Sequence, residues 1–346
     1  MSLFGLAQRL PRLWYRDALS PQLWPLLPLS WLFAGLAGIR RLLYRRKLLR
    51  SARLPVPVIV VGNITVGGSG KTPLVVWLVG QLRARGWRPG VISRGYGGSV
   101  NGVGAVTADS KAGEVGDEPL LLARRCGVPV FVGRDRVAAG RALLAAHPEC
   151  DVIISDDGLQ HYRLARDAEV VVFDGRGAGN GRLLPAGPLR EPQRRLRSAT
   201  AVVWNSASRS AAGEWRLPQF RMILEGGAFY ALEDPARRCS PEALRGRRLF
   251  AVAGIGDPAR FFAQLSALGL VFEAHPFPDH RNYTAEDLAF ARDGVLLMTE
   301  KDAVKCKDLP LYETWVVPVE ARIDAAEDGC LLTDLLLEKM NGRSPA

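Results

Sequence analysis

Residues 56–73 read VPVIVVGNITVGGSGKTP, and their reading decides the fold. Val56–Val61 is a short apolar, β-branched run of the kind that forms a buried strand, and Thr72–Arg85 carries helical spacing. Between them lies a glycine-rich loop ending in Gly70-Lys71-Thr72. Glycines let backbone N–H groups turn inward around phosphate oxygens. A lysine at this position reaches the β- and γ-phosphates, and the following hydroxyl suits Mg²⁺ at a helix N-terminus that favours anions. Pro73 fits the first helical turn, where its missing donor is not needed. The general pattern has glycine where Thr65 stands, so Gly67 and Gly68 are expected to supply the tight turn. This reading assigns Thr65, Val66, Gly67, Gly68, Ser69, Gly70, Lys71 and Thr72 to a bound nucleotide.

Outward from this loop, β-rich runs alternate with helical stretches. Strands are expected at Gly90–Ser93, Val128–Val132, Asp151–Ser155, Val170–Phe173 and Ala201–Trp204, with helices at Glu118–Arg125 and Asp135–Ala146. Such alternation implies an α/β fold of the P-loop NTPase type, a parallel sheet with helices on both faces. Ser206–Gly213 reads as a linker. Gln219–Leu224 and Ala228–Leu232 flank Gly226-Gly227, which predicts a two-stranded ribbon. A second alternation follows, with strands Leu249–Ala253, Leu270–Ala274, Val295–Thr299 and Thr314–Val319 and helices Pro258–Leu268, Thr284–Ala291 and Leu331–Met340. The expected division is an N-terminal membrane-associating segment (1–53), a P-loop domain (54–205), a linker with ribbon (206–235) and a smaller α/β domain (236–346).

The chain has 346 residues, 48% hydrophobic and 23% charged, too long for one average core and too apolar for disorder. Its net charge of +11 is concentrated: residues 1–53 carry ten Arg/Lys against Asp17 alone, leaving +2 for the other 293 residues. That distribution points to an anionic membrane surface and away from nucleic acid. Ala18–Ile39 holds no formal charge and is long enough to span a bilayer, but Pro21, Pro25 and Pro28 crowd its first half, and the proline-free part, Leu29–Ile39, is too short to cross. With Trp24, Trp31 and Tyr44 as interfacial anchors and a basic band from Arg40 to Arg50, a monotopic anchor is favoured over a single span or a cleaved signal. The arginines place the body on the cytoplasmic side. Five scattered cysteines, never spaced CxxC, argue against a disulfide framework or a zinc site.

Further polar motifs gather around this frame. Val152–Ser155 delivers Asp156-Asp157 to the sheet's C-terminal edge, where a Walker-B aspartate meets the P-loop magnesium. Gln160 follows within reach of a metal water, and His161 is either a packed turn residue or a site residue. Asp117, in Gly116-Asp117-Glu118-Pro119, either caps a helix or accepts a proton from an attacking hydroxyl. Arg190 and Glu191 close a glycine-rich loop. They are either exposed loop charges or, respectively, a phosphate-stabilising cation and a magnesium ligand. His280 sits in a loop, Phe277-Pro278-Asp279-His280. Gly254-Ile255-Gly256 lacks the third glycine of a dinucleotide fingerprint, and Lys301-Asp302 has the wrong spacing for a guanine-selecting box, which favours ATP.

Taken together, GNITVGGSGKTP (62–73), SRGYGG (93–98), GDEP (116–119), DDGLQH (156–161), LLPAGPLREP (183–192), PDH (278–280) and TEKDAVK (299–305) resemble one family, the tetraacyldisaccharide 4′-kinases of lipid A biosynthesis. Thr65 matches that family's own loop. The resemblance implies ATP-dependent phosphorylation of the 4′-hydroxyl of an acylated glucosamine disaccharide 1-phosphate, yielding lipid IVA, by a two-domain body with a β-ribbon hinge at the cytoplasmic face of the inner membrane. It implies that Asp117 and His280 pair to activate the hydroxyl. Where many family members have a second histidine, this chain has Arg281. The mechanism expected is in-line transfer. Lys71 and the loop amides hold the phosphates; Thr72 and Asp156 hold Mg²⁺, with Gln160 and Glu191 as further ligands; Arg190 offsets charge. The rival readings are a P-loop switch or metallochaperone NTPase and a scaffold that only retains the nucleotide fold. No obligate protein partner is evident in the sequence.

Overall fold

The computed structural model describes residues 10–16, 18–206, 217–326 and 328–340. Most of the expected linker, Ser206–Gly213, lies outside the described residues. Helix α1 (Leu27–Arg45) precedes strand β1 (Val58–Gly62), α2 (Lys71–Ala84), β2 (Pro89–Ser93), β3 (Val103–Val106), α3 (Ala112–Val115), α4 (Asp117–Cys126), β4 (Val130–Gly133), α5 (Arg136–Ala146), β5 (Val152–Asp156), β6 (Ala168–Asp174), β7 (Ala201–Asn205) and β8 (Gln219–Gly226). After these come β9 (Phe229–Ala231), β10 (Arg238–Cys239), β11 (Leu249–Ala253), α6 (Pro258–Ala267), β12 (Glu273–Pro276), β13 (Val295–Thr299), α7 (Glu300–Cys306), β14 (Thr314–Val317), β15 (Val319–Ile323) and α8 (Leu332–Met340).

Nine strands form one sheet in the order β15-β8-β7-β6-β1-β5-β2-β4-β3. The inner seven pair in parallel, and β3 and β15 close the two edges antiparallel. Strands β1, β2, β5 and β7 are buried at every position, as a sheet covered on both faces requires. Residues of α2, α4 and α8 fill one face and α5 with its flanking loops the other. Central β1 delivers the glycine-rich loop at its C-terminal end, between β5 and β6, where ligands bind in such sheets.

The second sheet has six strands, β10-β9-β14-β13-β11-β12. The expected ribbon is present with a different partner. β8 does not pair with the Ala228–Leu232 run: β9, which forms there, pairs with β14 and β10, while β8 pairs antiparallel with β15. The chain crosses between sheets at Gly227 and again at Pro318, and the two crossings are joined by Gly227 N–H donating to the Pro318 carbonyl (3.3 Å). In consequence 236–346 is not one packed unit: β15 edges the first sheet, and Leu332, Leu336 and Met340 of α8 bury into the first sheet's core.

Three local expectations change. Thr284–Ala291 forms only a short 3-10 turn at Ala289–Ala291, although Thr284 and Asp287 bond each other's backbone N–H groups in the reciprocal pattern of a helix cap. The edge strand β12 starts at Glu273 rather than Leu270; Gly269 turns with φ 76° and Val271 is 88% exposed, so this stretch connects α6 to the sheet. Helix α1 outruns the proline-free stretch, since Pro28 falls in its first turn, where a missing donor costs little, and the basic band continues it to Arg45.

Pro21–Arg45 is long and apolar enough to cross a membrane by length and composition. It nevertheless touches the body at both ends. Leu23 is fully buried, worth about 1.5–3 kcal/mol, and Ser30 donates to the Leu183 carbonyl (2.7 Å), while Arg40 donates to the Gln160 carbonyl (3.2 Å). Trp24, Leu29, Trp31, Leu32, Leu36, Ile39 and Leu42 stay exposed along it, an apolar stripe larger than a soluble helix leaves bare.

Candidate active site

The glycine-rich loop is shaped by its neighbours as much as by its glycines. Positive φ falls at Gly67 (99°) and Gly70 (88°). At Gly70 a Cβ would come within 2.2 Å of the Asn205 amide, which donates to the Ser69 carbonyl (3.1 Å). Thr65 stands in for the usual first glycine because no positive φ is needed there; it bridges to Leu189, and Arg190 donates from Nε to its carbonyl (3.1 Å). The Val66 N–H is likewise taken, by the Pro188 carbonyl (2.9 Å). Gly70 caps α2 without a side-chain bond, so the amides of its first turn remain available to an anion. Gly68 through Thr72 line a cavity of about 560 Å³ closed on its far side by Ile255, Gly256 and Phe261 of the six-stranded sheet. Thr65, Val66 and Gly67 form the outer turn instead. The Ser69 hydroxyl is buried with no partner among the described residues.

The adjacent aspartates at the end of β5 are unlike. Asp157, in the left-handed region (φ 46°), takes both Arg190 (3.1 and 3.3 Å) and Lys71 (3.7 Å). Burial alone would raise its carboxyl, but those two cations outweigh it and hold it down near about 2. Asp156 is buried without a cation in contact: Ser93 donates to Oδ2 (3.2 Å), and Oδ1 has no partner among the described residues. Burial, then the charges of Glu118 and Asp157, pushes it up to about 7. Behind both lies Arg136, 3% exposed, whose guanidinium is lowered by burial to about 10 despite the facing carboxylates. Lys71 Nζ rests 3.5 Å from Asn63 Oδ1, and Arg190 also hydrogen-bonds that oxygen, so Asn63 and Asp157 hold both cations at the loop.

Gln160 and Glu191 form a network beside this one. Gln160 donates to Glu191 (2.8 Å) and to the Asn63 carbonyl (3.1 Å); Tyr162 and Arg195 (3.2 Å) engage the other Glu191 oxygen. Both Glu191 oxygens are thus occupied. His161 packs in its turn, 3.8 Å from Asp135, with its pKa pushed down to about 4 by burial.

Asp117 and His280 meet across the two sheets. Asp117 opens α4 and is 5% exposed; His280 also has a left-handed backbone (φ 60°), uncommon for a residue other than glycine. Its Nδ1 lies 3.0 and 3.2 Å from the two carboxylate oxygens, and Tyr96 packs on the ring at 5.1 Å. The His280 pKa rises, chiefly through the Asp117 hydrogen bond, over the opposing effect of burial. Burial would raise Asp117, but the bond to His280, then the charges of Lys301 and Lys305, bring it below the ordinary carboxylate value. Glu118 and Lys301, beside the pair, line the nucleotide-sized cavity.

Several residues here were not marked by spacing. Ser93 stands in the SRGYGG motif, whose spacing gives it no role, and nothing in the sequence around Arg136 marks it for burial. Gly256, read only as half a fingerprint, comes so close to Gly68 that a Cβ on it would meet the Gly68 nitrogen at 3.1 Å. In TEKDAVK, Thr299 caps α7, and fully buried Asp302 accepts from Thr299 (2.7 Å), Gly254 N (3.0 Å) and Tyr283 (3.0 Å), pinning both site loops of the second sheet.

Comparison with known proteins agrees along nearly the whole chain. Residues 22–337 match the family model described as tetraacyldisaccharide-1-P 4′-kinase. The tetraacyldisaccharide 4′-kinase of Dechloromonas aromatica (strain RCB) is 58% identical over 99% of this chain and 100% of its own length, and that of Azoarcus sp. (strain BH72) is 56% identical over 96% of each. A solved structure of LpxK from Aquifex aeolicus in complex with ATP superposes with TM-score 0.78 at 31% identity, covering 91% of this chain and 98% of that one. With fold, loop and length all in agreement, the chain belongs to the tetraacyldisaccharide 4′-kinase family.

Proposed function

We propose that this protein transfers the γ-phosphate of ATP to the 4′-hydroxyl of tetraacyldisaccharide 1-phosphate, forming lipid IVA, at the cytoplasmic face of the inner membrane. The observation that carries the chemistry is the Asp117–His280 pair, assembled from two sheets beside the cavity that the phosphate loop lines. Lys71, the first-turn amides of α2 and the Ser69 hydroxyl bind the phosphates. Arg190, already within reach of the loop carbonyls, offsets charge as the phosphoryl group moves. Asp117, ionised and oriented by His280, takes the hydroxyl proton as attack proceeds.

The residues present fit a divalent cation. Asp156 is a buried carboxylate with an orphan oxygen at the end of β5, paired with the end of β1 from which the loop runs to Thr72, and a charge so placed is stable only when compensated. Among the described residues no group of three His, Cys, Asp or Glu could hold a metal unaided, so Asp156 and Thr72 would share it with phosphate oxygens. Asp157 is committed to Lys71 and Arg190, and Gln160 with Glu191 would act from the adjoining network. When bound, Mg²⁺ supplies charge neutralisation at the transferring phosphate.

The apolar stripe of α1, lying along the body and flanked by Arg40, Arg41 and Arg45, supports a monotopic seat in the bilayer, where an acylated substrate resides. Transfer of labelled γ-phosphate from ATP to tetraacyldisaccharide 1-phosphate in detergent micelles tests the reading. Labelling by the wild type that collapses in Asp117→Ala supports kinase and base together. Labelling that survives in the variant removes the base assignment, and ATP hydrolysis without lipid labelling removes the kinase.

A further inference from the structure

Lys301 has no part in the reaction derived above. It stands in the first turn of α7, the end of a helix where a cation is disfavoured, so α7 gains nothing from its charge. The side chain, 17% exposed, instead reaches across the boundary between the sheets. Its Nζ lies 3.0 Å from Asp279, 3.2 Å from Glu118 and 3.9 Å from Asp117. Asp117 and Glu118 open α4 of the first sheet; Asp279 immediately precedes His280 in the second. One ammonium therefore joins the neighbours of both halves of the proton-accepting pair. Packing of α4 on α7 is secured separately, at the other end of α4, where Arg125 pairs with Glu300 at 2.5 Å.

We propose that Lys301 is a positioning residue for phosphoryl transfer, drawing the His280 loop onto the start of α4 and keeping Asp117 ionised by its fixed charge. The inference rests on the proposed role of Asp117 as the base. The charged groups facing Asp117 are His280, Lys301 and Lys305 from the second sheet and Glu118 from its own helix. Of the two lysines Lys301 is the stronger influence on Asp117. Lys301 stays protonated, since burial would lower its pKa but Glu118, Asp117 and Asp279 together raise it above the ordinary value.

The test is the pH dependence of lipid phosphorylation by the full chain in detergent micelles. Lys301→Met keeps the side-chain stem and removes the charge. It is expected to lower kcat at neutral pH roughly ten- to a hundredfold, with KM for ATP within about twofold, and to move the acid limb of kcat upward by about one pH unit. Lys301→Arg is expected to return the acid limb to its wild-type position. An acid limb unmoved in Lys301→Met, or a loss confined to KM for ATP, overturns the proposal and leaves Lys301 as lining of the nucleotide cavity. If Lys301→Met fails to fold, Lys301→Gln carries the same comparison. Asp117→Asn, assayed alongside, keeps the two claims apart: wild-type transfer by that variant overturns the base reading itself, whereas its inactivity together with an unmoved limb in Lys301→Met overturns only the role of Lys301.

Discussion

The two sheets meet at one site but build their shares of it in different ways. The nine-stranded sheet supplies its phosphate-binding part from one continuous segment, Gly62 to Thr72, and from one strand end, Asp156-Asp157. Backbone conformation does most of the work there, fixed within a few residues of the groups it positions. The six-stranded sheet contributes single residues from separate places: Gly256 and His280 from loops and Lys301 from a seven-residue helix. These act only because the sheet is held against its neighbour. The first part should therefore supply most of the hold on the phosphates, while the second, which closes the far side of the cavity, should matter to chemistry more than to nucleotide affinity.

The largest effect that could break this division comes from setting Lys71→Met beside Asp117→Asn. Lys71→Met is expected to weaken ATP binding and to lower kcat/KM roughly a thousandfold, because the lysine meets phosphate in both ground and transition states. Asp117→Asn is expected to lower kcat by about as much, leaving the Kd for ATP, read by equilibrium titration, within about twofold. Equal weakening of ATP binding by both variants would mean that nucleotide binding already requires the Asp117–His280 pair that joins the two sheets.

A smaller pair of effects sharpens the same contrast at two glycines. Gly70→Ala places a Cβ at φ 88° and 2.2 Å from Asn205, so strain of roughly 1–3 kcal/mol should lower the melting temperature and remove ATP binding together. Gly256→Ala is tight only against the Gly68 nitrogen, at 3.1 Å, with Gly68 Cα and Asp279 Oδ2 at ordinary contact distance, and a loop can shift by the few tenths of an ångström required. Its expected cost is a few-fold in kcat with an unchanged melting temperature, both read on the same preparation.

What the sequence made legible follows the same division. The loop, the strand that feeds it and the Asp156-Asp157 end were readable because spacing alone determines where such residues fall. The inequality of the two aspartates was not, since it depends on Arg190 arriving from 33 residues away at Asp157 and on nothing comparable reaching Asp156. The ribbon was misread for a related reason: Gly226-Gly227 looks like a hairpin turn, yet it is the point where the chain leaves one sheet for the other, and its partner strand lies almost a hundred residues on. Spacing left Asp117 and His280 open between ordinary and chemical roles. Only the family resemblance joined them, and their separation of 3.0 Å is a property of the packed sheets. Lys301 is hidden in the sequence because Lys301-Asp302 reads as a misspaced guanine box, and no spacing shows that the helix starting at Glu300 faces another sheet.

The smallest effect tests whether the fold itself assembles the second sheet's share of the site. His280 has a pKa raised above its ordinary 6.5, so its contribution to stability is complete below that value and fades as the pH climbs through the folded one. Asp117 has a pKa lowered below 3.8, so its contribution is complete above that value and fades as the pH falls through the folded one. The ionic part of the pair therefore stabilises the protein between those limits and weakens towards alkaline pH. The melting temperature of wild type minus that of Asp117→Asn, in ligand-free protein, should be larger at about pH 5.5 than at about pH 8 by about 2 °C, because a pair with a partly exposed ring contributes only about 1 kcal/mol. Taking the difference at two pH values cancels the pH-independent cost of the substitution. A gap that stays constant would mean that carboxylate and ring come together only around bound substrate, and that the proton-accepting half of the site is built by closure and not by folding.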